Sequence, residues 1–119
     1  ALHAVAPAVA NTIPERPRTS GFARVQAKSS REVTTLFHQN ALLPRVTALL
    51  VPMLDGQRTH AELVAGLHKL VETAQVEILE LAEFVNAEVD EDSLQLDALL
   101  RASVKKSLEI LLNAALLYQ

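Results

Sequence analysis

From Leu43 onward the apolar positions fall at helical spacing. Leu43, Val46, Leu49, Leu50, Met53 and Leu54 recur at steps of three and four, which places them on one helical face. Pro44 suits the first turn of such a helix, whereas Pro52 removes a backbone donor and should bend the last one. Asp55 and Gly56 end it, with Gly suited to the left-handed position beyond a C-cap. Thr59 and Glu62 then stand three apart, as a capping box requires. A second helix follows, with Leu63, Leu67, Leu70 and Val71 on its apolar side. Leu43 to Val71 therefore reads as helix, tight turn, helix.

Upstream the period is shorter. Ala23, Val25 and Ala27 alternate with Phe22, Arg24, Gln26 and Lys28, and Val33, Thr35 and Phe37 alternate with Thr34, Leu36 and His38. A period of two suits strands with one wet face, and Ser29–Arg31 make a turn between them. The prediction is a β-hairpin over Phe22–His38. Residues 1–20 hold Pro7, Pro14 and Pro17 and read as an extended linker or arm, so the domain proper spans 21–119.

Thr73 to Asp92 supports two readings. It lacks Gly and Pro, which favours helix, yet Val76 with Ile78, and Val85, Ala87 and Val89, alternate as in a hairpin. The hairpin would be the wing of a winged helix. The last element is a long helix that Ser93 or Asp97 can cap. Leu100, Val104, Leu108, Leu111 and Ala115 share one face, and Arg101, Lys105, Lys106 and Glu109 the other. The fold class predicted is mainly α (α+β): winged-helix-like, with three or more helices and an N-terminal β-hairpin.

Composition agrees with a helical domain. The chain has 119 residues, half of them apolar; Leu and Ala supply 39, and aromatics only 3%. With no Cys there is no disulfide framework and no thiolate ligand. Residue 1 is Ala and the only Met is Met53, which fits a domain taken from a longer protein. No uncharged run approaches the ~20 residues that span a bilayer, and no basic leader precedes the apolar start. The cytoplasm is the expected location, with no membrane partner.

The net charge of −3 conceals a division. Residues 1–58 carry seven basic and three acidic groups, a net +4, while residues 59–119 carry four basic and eleven acidic groups, a net −7. A helix–turn–helix raises DNA binding, but its second helix offers His60, Glu62, His68, Lys69 and Glu72 and no Arg, Asn or Gln for base edges. Leu70 to Leu100 adds nine acids and no Lys or Arg, which repels phosphate. No nucleic-acid partner is expected.

Candidate chemistry is sparse. His68 and Glu72 can meet on one helical face, but no third metal ligand has suitable spacing, so they read as surface residues. His3, His38 and His60 form no pattern with them. Ser103 and Ser107 sit in a helix with no His nearby, and Thr59 is explained by its cap. The glycines, at 21, 56 and 66, make no phosphate loop. No catalytic, cofactor-binding or metal residue is expected. The residues singled out are structural: Asp55, Gly56, Arg58, Thr59 and Glu62.

Three stretches carry a resemblance: Arg16-Pro-Arg-Thr-Ser-Gly-Phe-Ala-Arg-Val-Gln-Ala, Val33-Thr-Thr-Leu-Phe-His-Gln-Asn and Leu54-Asp-Gly-Gln-Arg-Thr-His-Ala-Glu-Leu-Val. Together with the closing Asn113-Ala-Ala-Leu-Leu they cover about residues 14 to 117. The chain resembles the C-terminal winged-helix-like domain of bacterial class I S-adenosylmethionine-dependent methyltransferases that carry a methyltransferase regulatory domain. That group includes the rickettsial outer-membrane-protein lysine methyltransferases. The Leu-Asp-Gly-x-Arg-Thr-x-x-Glu-Leu element also resembles small peptide-binding winged helices of peptide-modifying pathways. The chain departs from the pattern in having no Gly-containing wing between Thr73 and Asp92.

The resemblance implies a non-catalytic accessory module whose S-adenosylmethionine site lies elsewhere in the parent. Its implied partners are the parent's other domains, a second copy in a homodimer, or a protein or peptide substrate. The alternative is a peptide-binding winged helix that adds a strand at the 22–38 hairpin.

Overall fold

A computed structural model describes residues 10, 12–37, 39–86 and 96–118. In it the helix–turn–helix forms as its pattern dictates. Helix α2 spans Arg45–Leu50, with Pro44 at the N-cap, and Pro52 converts its continuation into a 3₁₀ turn over Val51–Met53. Gly56 lies at φ +81°, a conformation that only glycine adopts without strain. Helix α3 spans His60–Glu72 and opens on a complete capping box. Glu62 N–H donates to Thr59 Oγ1 at 3.4 Å, and Thr59 N–H donates to Glu62 Oε1 at 3.3 Å. Leu63 and Leu67 on its inner side are fully buried.

The segment 21–28 corrects the sequence expectation. Gly21–Ala27 form helix α1, not a strand. Ser20 caps it, its hydroxyl accepting Ala23 N–H at 3.0 Å. Ala23 and Ala27, four apart, are buried, but Val25, which alternation had placed with them, is 63% exposed. The seven residues fit both periods on the small alanines alone, and the cap decides for helix.

The hairpin therefore lies further along. Strand β1 (Glu32–Thr34) pairs antiparallel with β2 (Asn40–Leu42), in the register Glu32 with Leu42, Val33 with Ala41 and Thr34 with Asn40. Val33 points into the core. Thr35 and Leu36 leave the strand for the turn, and His38 lies outside the described residues.

Between Thr73 and Asp92 the structure forms a helix over its described middle. Helix α4 spans Ile78–Val85 and stops at Asn86, which takes the left-handed conformation at φ 56°. The strand alternation of Val76 with Ile78 is not formed, and Val85 lies in the same helix as Ile78; Leu81 and Ala82 face inward instead. Ala87 and Val89, and the Ser93 cap, fall outside the described residues.

Helix α5 (Leu96–Asn113) is central, packing against α2, α3 and α4. It buries Leu99, Leu100, Val104, Leu108 and Leu111, together with Ser103 and Ser107. The two serines are satisfied: Ser103 donates to Leu99 O at 2.8 Å, and Thr47 of α2 donates to Ser107 Oγ at 3.1 Å. Among the described residues are five α-helices, one 3₁₀ turn and one two-stranded antiparallel hairpin, a mainly helical fold.

The chain before α1 crosses this framework. Thr19 N–H donates to Leu54 O at 2.9 Å, Gly56 N–H to Pro17 O at 3.2 Å and Tyr118 N–H to Arg18 O at 2.9 Å. Further out, Ala10 N–H reaches Leu117 O at 3.0 Å. Residues 17–19 thus lie between the turn after α2 and the end of the chain, with an isolated antiparallel bridge between Arg18 and Asp55.

Candidate functional site

The residues singled out from the sequence meet at that crossing. Asp55 Oδ1 accepts Gln57 N–H at 3.0 Å, and its Oδ2 accepts Arg58 Nη1–H at 3.0 Å. The Gln57 amide first, and the Arg58 guanidinium after it, hold the Asp55 carboxyl below its ordinary value. Arg58 also donates to Met53 O at 3.1 Å. A Cβ on Gly56 would come within 3.2 Å of Arg18 Cδ, so the Arg18 stem covers the turn. The Arg18 guanidinium sits 4.4 Å from the centre of the Tyr118 ring. The motif is a clasp: Asp55, Gly56 and Arg58 shape the turn, Thr59 and Glu62 start α3, and Pro17–Thr19 are pinned across the turn.

The histidines do not converge. His60 Nε2–H donates to Pro14 O at 2.7 Å, and His68 Nε2 lies 3.5 Å from Glu72 Oε1. Among the described residues no three His, Asp or Glu side chains are placed to hold a metal ion.

A different feature offers a surface for binding. Between α3 and residues 97–108 of α5 lies an open groove of about 840 Å³, within the ~300–1,000 Å³ of ordinary ligand sites. Val64 and, from the arm, Ile13 are half-buried on its walls. Ala61 and Ala65 leave one side low and exposed, and Leu100, Val104 and Leu108 close the floor. Arg101 and Lys105 line it from α5, His60 and His68 from α3. Asp97 is the one acid in the lining, 3.1 Å from Arg101. The groove escapes sequence reasoning because it needs the α3–α5 packing; its trace in the sequence is Ala61 and Ala65, small residues four apart where a surface helix normally carries long polar ones.

The hairpin presents one open edge. Leu43 N–H donates to Arg31 O at 2.8 Å and Thr35 N–H to Gln39 O at 2.7 Å, so the backbone of Thr34, Asn40 and Leu42 points outward. On the β1 side the edge is closed by α1: Thr34 N–H donates to Gln26 Oε1 at 2.7 Å, and Gln26 Nε2 donates to Thr34 Oγ1 at 3.1 Å. On the β2 side no described residue bonds the outward backbone of Asn40 and Leu42, and Leu42 is 72% exposed.

Residues 15–116 match the family model of the PKMT C-terminal winged helix domain. The chain belongs to that family. Two solved structures share the winged-helix fold of this PKMT domain. The structure of PKMT2 from Rickettsia typhi in complex with AdoHcy aligns with a TM-score of 0.74 at 22% identity, over 95% of this chain and 22% of that one. The structure of PKMT2 from Rickettsia typhi aligns with a TM-score of 0.70 at 22% identity, over 95% of this chain and 23% of that one. The chain thus spans under a quarter of the length of these relatives. No curated protein matches it. Among the described residues no helix is long and apolar enough to cross a membrane.

Proposed function

We propose that this winged-helix domain is a non-catalytic accessory module of an S-adenosylmethionine-dependent methyltransferase acting on protein. Its work is to pack against other domains of the parent, to pair two copies, or to hold the protein substrate, in the bacterial cytoplasm. The observation that carries this reading is the family match over residues 15–116, in a chain less than a quarter the length of its structural relatives. One of those relatives was solved with AdoHcy, so the parent's cofactor is taken to be S-adenosylmethionine.

The residues of this chain do not suit that cofactor. A nucleoside cradle needs glycines that open space for the ligand. Here the room above Gly56 is filled by Arg18 and that beside Gly66 by Met53, while Gly21 starts α1. This supports assigning the methyl-transfer chemistry to other domains of the parent. Isothermal titration of the chain with S-adenosylmethionine is expected to give no heat beyond dilution. Saturable binding in the micromolar range would overturn the reading.

A second reading rests on the open β2 edge. A peptide could add a strand along Asn40–Leu42, bonding the outward backbone groups, with Leu42 as its apolar contact. The edge on offer is β2, because the segment from Phe22 is helix and Gln26 closes β1. Peptide-induced shifts confined to the Asn40 and Leu42 amides would favour this reading; an unmoved hairpin would remove it.

A further inference from the structure

We infer that the α3–α5 groove receives an amphipathic helix with an apolar face and carboxylates along its flanks. The inference rests on the accessory-module reading and names the partner chemistry that module would take.

The shape argues for a helix. Leu100, Val104 and Leu108 lie on one line of α5, about 12 Å long at 1.5 Å per residue. Ala61 and Ala65 run beside them at the same four-residue step on α3. Two helices with low side chains facing the gap between them form a trough, and a third helix fills a trough best by ridge-into-groove packing. An extended strand would find no backbone partner along most of its length, because past their first turns the backbone groups of α3 and α5 are bonded within their own helices.

Charge decides the flanks. Residues 59–119, which supply all of the groove's lining except Ile13, carry four basic and eleven acidic groups. Two of those four bases, Arg101 and Lys105, line the groove against a single acid, Asp97. Asp97 pairs with Arg101, whereas Lys105 is exposed and forms no ion pair with a described residue. Lys106, one residue on, turns the other way and donates to Phe84 O of α4. On an otherwise acidic half the groove thus carries a net positive charge, Lys105 being the base that Asp97 does not offset, beside an apolar floor. Like charges on an occupant would be repelled, and carboxylates beside its apolar face would meet Arg101 and Lys105.

The test uses two synthetic helical peptides with the same leucine face, one flanked by Glu and one by Lys. The Glu peptide is expected to bind the full 119-residue chain saturably, to shift the amides of Ala61, Ala65, Arg101 and Lys105, and to lose tenfold or more in affinity in 0.5 M salt. The Lys peptide is expected to leave those amides unmoved. In R101E/K105E, both substitutions being on exposed side chains, the preference should reverse, with an unchanged circular dichroism spectrum as the folding control. Equal binding of the two peptides overturns the inference, and so does a response confined to Asn40 and Leu42. A doubled mass without peptide, with shifts at the same four groove amides, also overturns it, since the occupant is then a second copy. If the chain binds neither peptide nor S-adenosylmethionine, only this inference fails; if it binds S-adenosylmethionine, the accessory reading fails with it.

Discussion

Helices α1 and α3 begin alike and are held in place differently. Each opens on a hydroxyl cap, Ser20 accepting Ala23 N–H at 3.0 Å and Thr59 accepting Glu62 N–H at 3.4 Å. From there α3 runs for 13 residues and drives Leu63 and Leu67 into the core. Helix α1 runs for seven and buries only Ala23 and Ala27, leaving Phe22 and Val25 outside. An isolated seven-residue helix is far too short to persist in water. Helix α1 is held by its cap, by the close approach that two alanines allow, by Arg24 donating to Leu54 O at 3.0 Å and by Gln26 on β1. One helix is fixed by burial and the other by polar contacts at its ends and sides.

The largest test of this difference sets Leu63→Ala against Val25→Ala. Leu63 is fully buried, so its truncation should cost ~2–5 kcal/mol through lost transfer energy and an unfilled cavity. Val25 is exposed, so its truncation should fall within about 0.5 kcal/mol of zero. Urea denaturation midpoints measure both. Comparable losses would mean that Val25 is buried and that residues 21–27 do not form this helix.

Next in size is Gly56→Ala, which acts on the clasp ahead of α3. Alanine at φ +81° is strained by about 1–2 kcal/mol, and its methyl would press on Arg18. The loss should appear in the thermal midpoint and in faster amide exchange at Thr19 and Tyr118, which the clasp holds. Exchange unchanged at both would detach the arm from the turn.

The caps come third. Thr59→Ala and Ser20→Ala should each cost ~1 kcal/mol. Their local signatures should differ. Loss of the Ser20 cap should raise exchange throughout α1, which has little burial to fall back on, whereas loss of Thr59 should fray only the first turn of α3. Equal protection of Arg24 in the parent and in Ser20→Ala would show that α1 does not depend on its cap.

The same contrast explains what the sequence makes legible. Capping box, proline and glycine are local chemical signals, and the Arg45–Glu72 region carries all three, so its boundaries follow within a residue or two. The segment after Ser20 carries a cap as well, but Ala23, Val25 and Ala27 also satisfy a two-residue period, and seven residues are too few for one period to exclude the other. Burial of Ala23 without Val25 depends on contacts with β1 and the 3₁₀ turn, which no local pattern encodes. At the candidate site the clasp residues Asp55 to Glu62 are legible because their partners are near in sequence. The groove is not, because its walls come from residues 13, 60–68 and 97–108 and exist only once α5 has docked.

The smallest effect isolates Asp55, which accepts the Gln57 amide and pairs with Arg58 in the turn. Its folded pKa lies below the unfolded value of about 3.9, because the Gln57 amide and the Arg58 guanidinium favour the charged form. The contribution is therefore complete above about pH 5 and lost as the pH falls through the lowered folded value. Asp55→Asn keeps an acceptor for Gln57 but not the charge. It should lower the thermal midpoint slightly at pH 7 and leave a gap from the parent that narrows toward pH 3. Because the carboxylate is only half-buried, the gap should also shrink in high salt through screening of the Arg58 pair, while the Gln57 bond remains. A gap independent of both pH and salt would show that the side chain's shape, not its ionisation, holds the turn ahead of α3.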